Sequence, residues 1–127
     1  MRVDGLHQVA QKADDLDASV AFYRDVLGLP FVARFDPPGL AFFDLGGTRL
    51  LLEGGAPPAL LYLHVDDLEA TYAALTEAGV VFESEPHTIF TDEQGQFGPA
   101  GEEERMAFLR DPAGNLIALA TRRSLSR

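Results

Sequence analysis

The sequence predicts an α+β protein built from two copies of a βαβββ module, and three observations predict it. The stretch DDLDASVAFYRDVLGL, Asp14 to Leu29, returns in weaker form as DDLEATYAALTEAGV, Asp66 to Val80. Extending that match outward at a constant offset lays VAQKADDL, Val9 to Leu16, over LYLHVDDL, Leu61 to Leu68. The module ends match as well, GTRLLL at Gly47 to Leu52 against GNLIAL at Gly114 to Leu119. Self-similarity at this scale reads as one supersecondary unit used twice.

Each element has its own local cause. Leu6 to Ala13 reads as strand one. Leu16, Val20, Tyr23 and Leu27 then fall at helical spacing, Asp14 or Asp15 supplies the N-cap, and Gly28 stops the helix. Phe31 to Phe35 is strand two. The DPPG turn at Asp36 to Gly39 bends the chain, because two prolines supply no donors. Leu40 to Leu45 is strand three, Gly46-Gly47 is a two-residue hairpin turn, and Arg49 to Glu53 is strand four. GGAPPA, Gly54 to Ala59, links the modules. The second copy begins with Leu60 to Val65. Its helix places Leu68, Tyr72 and Leu75 on one face, with Asp66 or Asp67 as cap and Gly79 as stop. Val81 to Glu83, with a continuation toward Phe90, then Met106 to Arg110 and Leu116 to Ala120 are its remaining strands. Residues 6–53 and 60–120 are therefore the two modules of a single domain spanning 1–127.

The large departure between the copies is TDEQGQFGPAGEEE, Thr91 to Glu104, where the first copy has only a tight turn. Its glycines, proline and acids argue against a core strand, and a loop this long is either a lid over a site or a plain loop. The run Glu102 to Glu104 beside Arg105 reads as solvated charge, with steering of a cation as the alternative.

Composition narrows the classes of function. With 127 residues, 46% hydrophobic and 24% charged, the chain is large enough to bury one core. No apolar run is long enough to span a membrane, and MRVDGLHQ lacks a signal-peptide core, so a cytoplasmic address is expected. The absence of cysteine excludes disulfides, thiolate metal sites and a cysteine nucleophile. A formal charge of -10 argues against nucleic acid as a partner, and slightly favours a cationic ligand.

Period-two alternation sorts the strands by face. Val9, Gln11, Ala13, Leu50 and Leu52 in the first copy, with Leu61, Leu63, Val65, Ile117 and Leu119 in the second, should face the helices. The opposite faces hold Gln8, Ala10 and Lys12, Leu51 and Glu53, Leu60, Tyr62 and His64, and Ala118 and Ala120. That mixture of small, aromatic and ionisable residues suits a pocket wall. A packed face with satisfied polar groups, or one covered by another subunit, is the plainer account.

The repeated helix stretches, the HVDDLEA start and the RDPAGNLIAL ending resemble the vicinal oxygen chelate superfamily, the glyoxalase, bleomycin resistance and dioxygenase group. The resemblance implies curled half-barrel sheets, a cavity and a homodimer. It also implies a divalent ion held from the first and last strand of each module, at positions that fall on Gln8, Leu51, Leu60 and Ala118. Two leucines and an alanine offer no donor atoms, so the metal site is expected to be missing and no cofactor is expected. A substitute ion site would have to draw on His7, Glu53 and His64.

The reading that follows is a small-molecule-binding protein with Gln8, Glu53, Leu60, Tyr62, His64 and Ala118 as ligand-binding candidates. Phe35, Phe42, Phe43 and Phe108 are candidate aromatic wall. The alternative is an enzyme of the same superfamily, a lyase, isomerase or dioxygenase, using a non-standard metal or side-chain acid-base chemistry. His64 and Glu53 are then the catalytic candidates, since a histidine beside a carboxylate can move a proton near neutral pH. A pairing of Glu53 with Lys12 or His64 in a polar patch is the plainer use of the same residues. A third reading gives the open sheet face to dimerisation alone.

Overall fold

A computed structural model describes residues 1–125. In chain order the elements are β1 (Gln8–Lys12), α1 (Leu16–Ala21), β2 (Phe31–Phe35), β3 (Leu40–Leu45), β4 (Thr48–Glu53), β5 (Leu61–His64), α2 (Leu68–Glu77), β6 (His87–Asp92), β7 (Glu102–Arg110) and β8 (Leu116–Arg123). A π-helical segment, Phe22–Val26, continues α1. The strands make two four-stranded sheets of the same plan, β1-β4-β3-β2 and β5-β8-β7-β6. In each, the first and last strand of the module pair in parallel and the rest are antiparallel. The chain divides into two compact units, Met1–Ala59 with Asp111–Asn115, and Leu60–Arg110 with the chain from Leu116 onward.

The helices start and stop for reasons visible in the sequence. Of each aspartate pair it is the second that caps: Asp15 accepts from the Ala18 amide at 3.1 Å and Asp67 from the Ala70 amide at 3.0 Å. At the end of α2, Gly79 adopts φ 98°, and the Val80 amide reaches back to the Leu75 carbonyl at 2.9 Å. A residue with a Cβ is disfavoured at that φ. The first helix ends differently, widening into the π-helical segment, where the Leu27 amide bonds the Phe22 carbonyl five residues back at 2.9 Å.

In the first unit the helix-facing side of the sheet is the dry one. Gln11, Ala41, Phe43, Leu50 and Leu52 are fully buried, and the Tyr23 ring lies 6.1 Å from Phe43. Tyr23 is fully buried too, and its hydroxyl donates to Asp111 Oδ2 at 2.7 Å. Asp111 opens the turn carried by DPAGN. Its Oδ1 accepts from the Ala113 and Asn115 amides, and Asn115 Nδ2 bonds both Asp111 Oδ2 and the Lys12 carbonyl. A buried carboxylate is tolerated only when its lone pairs are filled in this way. Gln11, the one polar residue expected on the helix side of β1, is satisfied by two bonds to the Ala59 backbone, at 2.9 and 2.6 Å.

The second unit departs from the expected boundaries. β6 begins at His87 instead of Val81; the Val81–Glu83 stretch forms an isolated Phe82 to Leu109 bridge, with the Glu83 amide donating to the Phe108 carbonyl at 2.7 Å. β7 starts at Glu102 and β8 runs on to Arg123, so the expected loop from Thr91 to Glu104 shortens to residues 93–101. The acids at Glu102 to Glu104 do not prevent a strand because arginines on the neighbouring strand neutralise them. Glu103 meets Arg123 at 2.6 Å, while Glu102 and Glu104 lie 3.0 and 3.6 Å from Arg122. The solvated charge run expected from sequence is thus a cross-strand ladder of ion pairs.

Burial, and then the bond to Asp111, push the Tyr23 phenol above its ordinary pKa. Because the folded-state value is the raised one, this contribution is complete below the unfolded tyrosine pKa of about 10 and is lost as pH rises above it. Tyr23→Phe should destabilise the protein by about 1–3 kcal/mol at neutral pH, the cost of leaving a buried carboxylate short of one donor. Urea denaturation at neutral pH and above about pH 10.5 should show that deficit narrowing with alkalinity.

Candidate ligand-binding faces

Strand register fixes which side chains share the face away from the helix. In the first unit Gln8 lies opposite Arg49, Ala10 opposite Leu51 and Lys12 opposite Glu53. Phe42 lies opposite Leu51 and Ala33, and Leu40 opposite Phe35. A hollow of about 320 Å³ opens on this face, lined by Gln8, Val32, Ala33, Phe35, Phe42 and Arg49. Its rings are ordered among themselves: Phe35 and Phe42 meet edge to face at 6.0 Å, and the Arg49 guanidinium lies 5.8 Å from the Phe42 ring centre. Arg49 Nε donates to Gln8 Oε1 at 3.0 Å, and its Nη2 lies 3.2 Å from His7 Nε2.

The second unit presents a hollow of about 320 Å³ lined by Tyr62, His64, Glu104, Ala120, Thr121 and Arg122. Arg122 organises it. Its Nη2 donates to Asp92 Oδ2 at 3.0 Å and to the Pro99 carbonyl at 3.3 Å, and its Nε to Glu102 Oε1 at 3.0 Å. Asp92 in turn accepts from the Gln96 and Phe97 amides, both at 2.9 Å, and its carbonyl accepts from Gly101. Residues 93–101 are therefore tied down at both ends by one ion pair. The bonds from Phe97 and Gln96, with Arg122 adding to them, hold the Asp92 carboxyl below the usual carboxylate range.

The sequence candidates divide between these faces. Gln8 lines the first hollow; Tyr62 and His64 line the second, and both are exposed. Glu53, Leu60 and Ala118 border neither: Glu53 is half-buried, Leu60 exposed, and Ala118 buried opposite Tyr62 and Phe108. Neither pairing considered for Glu53 is among the ion pairs formed. Lys12 pairs with Asp14 at 3.6 Å, and His64 Nδ1 has Asp66 as its nearest acid, at 4.0 Å. Of the aromatic candidates, Phe35 and Phe42 are wall, Phe43 belongs to the core, and Phe108 shares the open face of the second sheet near His87. Arg49, Thr121 and Arg122 escaped the sequence reading. Arg49 was findable, since it stands two residues before Leu51 and so shares its face.

The positions where the family resemblance implies an ion do not fit one. Leu51 and Ala118 are buried hydrocarbon, Leu60 is hydrocarbon, and the Gln8 oxygen already accepts from a guanidinium whose charge repels a cation. Among the described residues no group of three or more histidines and acids is placed to hold a metal. His7 precedes β1 and is turned toward Arg49.

Two sheets ordered β1-β4-β3-β2 and β5-β8-β7-β6, each with one helix, define a glyoxalase-type fold. The chain belongs to the glyoxalase/bleomycin resistance protein/dioxygenase superfamily, whose family model matches residues 5–119. It is 32% identical to the uncharacterized protein YraH of Bacillus subtilis (strain 168), over 90% of this chain and 95% of that one. Among solved structures it resembles a lactoylglutathione lyase from Agrobacterium tumefaciens, with TM-score 0.70 and 27% identity over 94% of this chain and 95% of that one. It also shares the fold of TnmS3, an antibiotic binding protein from Streptomyces sp. CB03234, with TM-score 0.71 and 23% identity over 94% and 96%. No helix among the described residues is long and apolar enough to cross a membrane.

The Asp92 clamp makes a prediction of its own. Asp92→Ala should speed amide exchange at Gln96 and Phe97 by roughly tenfold, the scale of one lost charge-assisted hydrogen bond. In the unaltered protein, a depressed folded-state pKa gives stability present above the ordinary aspartate value and lost as pH falls through the folded one. Amide NMR signals of Gln96 and Phe97 should accordingly hold their positions through mildly acidic pH and shift only below about pH 4.

Proposed function

We propose that this protein binds a small organic molecule on the open faces of its sheets, by aromatic and polar side chains, without the metal ion associated with its family. One observation carries the proposal: Gln8, the only family ligand position with a donor atom, has its oxygen occupied by Arg49, while Leu51, Leu60 and Ala118 have none to give. The hollows on the two open faces have the mixed lining of ligand pockets, a few oriented polar groups among apolar ones. The fold is shared with an antibiotic binding protein as well as with a lyase, so the fold is compatible with binding without turnover. The homodimer and cytoplasmic address expected from sequence belong to the proposal; the former predicts a particle of about twice 13.8 kDa in sedimentation equilibrium.

The enzyme alternative rests on His64 and Glu53. The histidine's Nδ1 lies 4.0 Å from Asp66, and the Glu53 carboxylate forms no ion pair among the described residues.

A thermal-shift screen with aromatic acids, glycopeptide antibiotics and acyl-CoA thioesters should give at least one compound that raises the melting temperature, because a ligand selective for the folded state stabilises it by mass action. Elemental analysis of untagged protein should find well under one equivalent of zinc, nickel, manganese or iron. A uniformly flat screen, or a full equivalent of any of those metals, overturns the proposal.

A further inference from the structure

Arg49 stands apart from the other arginines. In a chain with twice as many acids as bases, every other arginine placed in a strand or helix meets a carboxylate. Arg24 meets Asp25, Arg34 meets Asp17 and Asp36, Arg105 meets Glu69, Arg110 meets Glu83, and Arg122 and Arg123 meet the acids of β6 and β7. Arg49 has no carboxylate within ion-pair distance among the described residues. It is held instead by Gln8 Oε1 at 3.0 Å and contacts His7 Nε2 at 3.2 Å, neither of which carries a negative charge. These orient the guanidinium without compensating its charge. They use two of its five N–H donors, which leaves Nη1 and the second Nη2 hydrogen for a ligand.

The surroundings select what that ligand is. The guanidinium lies 5.8 Å from the Phe42 ring centre, Phe35 meets Phe42 edge to face, and Val32 and Ala33 complete an apolar slot. Its volume of about 320 Å³ is at the small end for ligand pockets and accommodates one or two fused rings. A flat ring packs against the phenylalanines, and a carboxylate matches the fork of a guanidinium in a way a point charge does not.

We propose that the first hollow is a receptor for planar aromatic carboxylates, in which Arg49 supplies the fixed positive charge that an ion bound at Gln8 would supply in a metal-dependent member of the fold. This deepens the small-molecule reading and rests on it. Gln8 then serves as a positioning residue: it aims the guanidinium. The acidic surface steers cations toward the protein at long range, but at contact the local guanidinium decides the sign.

The test is calorimetric or NMR titration of the full chain with 2-naphthoate and with its neutral isostere 2-naphthamide. Wild type should bind the acid at least about tenfold more tightly than the amide, the scale of one charge-assisted hydrogen bond or more. Arg49→Gln should erase that preference, Arg49→Lys should keep part of it, and Arg34→Gln, an arginine on the same sheet already paired with Asp17 and Asp36, should leave it intact. Circular dichroism checks that each variant is folded. Equal binding of acid and amide, retention of the preference in Arg49→Gln, or no binding of the acid at all overturns the proposal. Amide binding without the preference leaves the broader small-molecule reading standing. That reading falls only to the flat compound screen or the full equivalent of metal named above.

Discussion

A strand has two faces, and in each unit of this protein one helix takes one of them. That constraint decides nearly everything else. In the first unit Phe43, Leu50 and Leu52 go to the helix side and are fully buried, so their neighbours in sequence, Phe42, Arg49 and Leu51, must point the other way. The buried turn at Asp111 fastens this arrangement, because its carboxylate is filled by Tyr23 from the helical segment and by Asn115, which also holds the β1 backbone at Lys12. With the helix side locked, the open face is free to carry side chains chosen for something besides packing.

The two open faces use that freedom differently. The first is aromatic with a single uncompensated cation, Arg49. The second is a charge network: Arg122 ties Asp92, Glu102 and the Pro99 carbonyl together and sets the wall on which Tyr62 and His64 stand. Gly98 shows how closely that network is packed, since a Cβ there would lie 3.1 Å from the Arg122 guanidinium. The same ion pair that shortens the loop therefore also shapes the hollow.

The fold was legible in the sequence because the repeat, the helical spacing and the strand alternation are all local patterns. β2 and β3 fall at their expected bounds, and the stop at Gly79 follows from backbone conformations that local residues impose. What was not legible depended on long-range pairing. The Glu102–Glu104 run looks like a loop until the partners Arg122 and Arg123 are known to lie across from it. The site shows the same division: parity put Gln8, Tyr62 and His64 on the open faces, but the bond between Gln8 and Arg49 joins residues 41 apart in sequence and has no local signal.

The proposed ligand site rests on the Arg49 guanidinium standing at Gln8, one of the positions where the family resemblance implies an ion. The most direct measurement is a titration of isotope-labelled protein with manganese(II), following amide signals by NMR. The expected result is no stoichiometric broadening centred on Gln8 or on Leu60. Saturable loss of those signals at one equivalent of manganese, with distant amides unaffected, contradicts it.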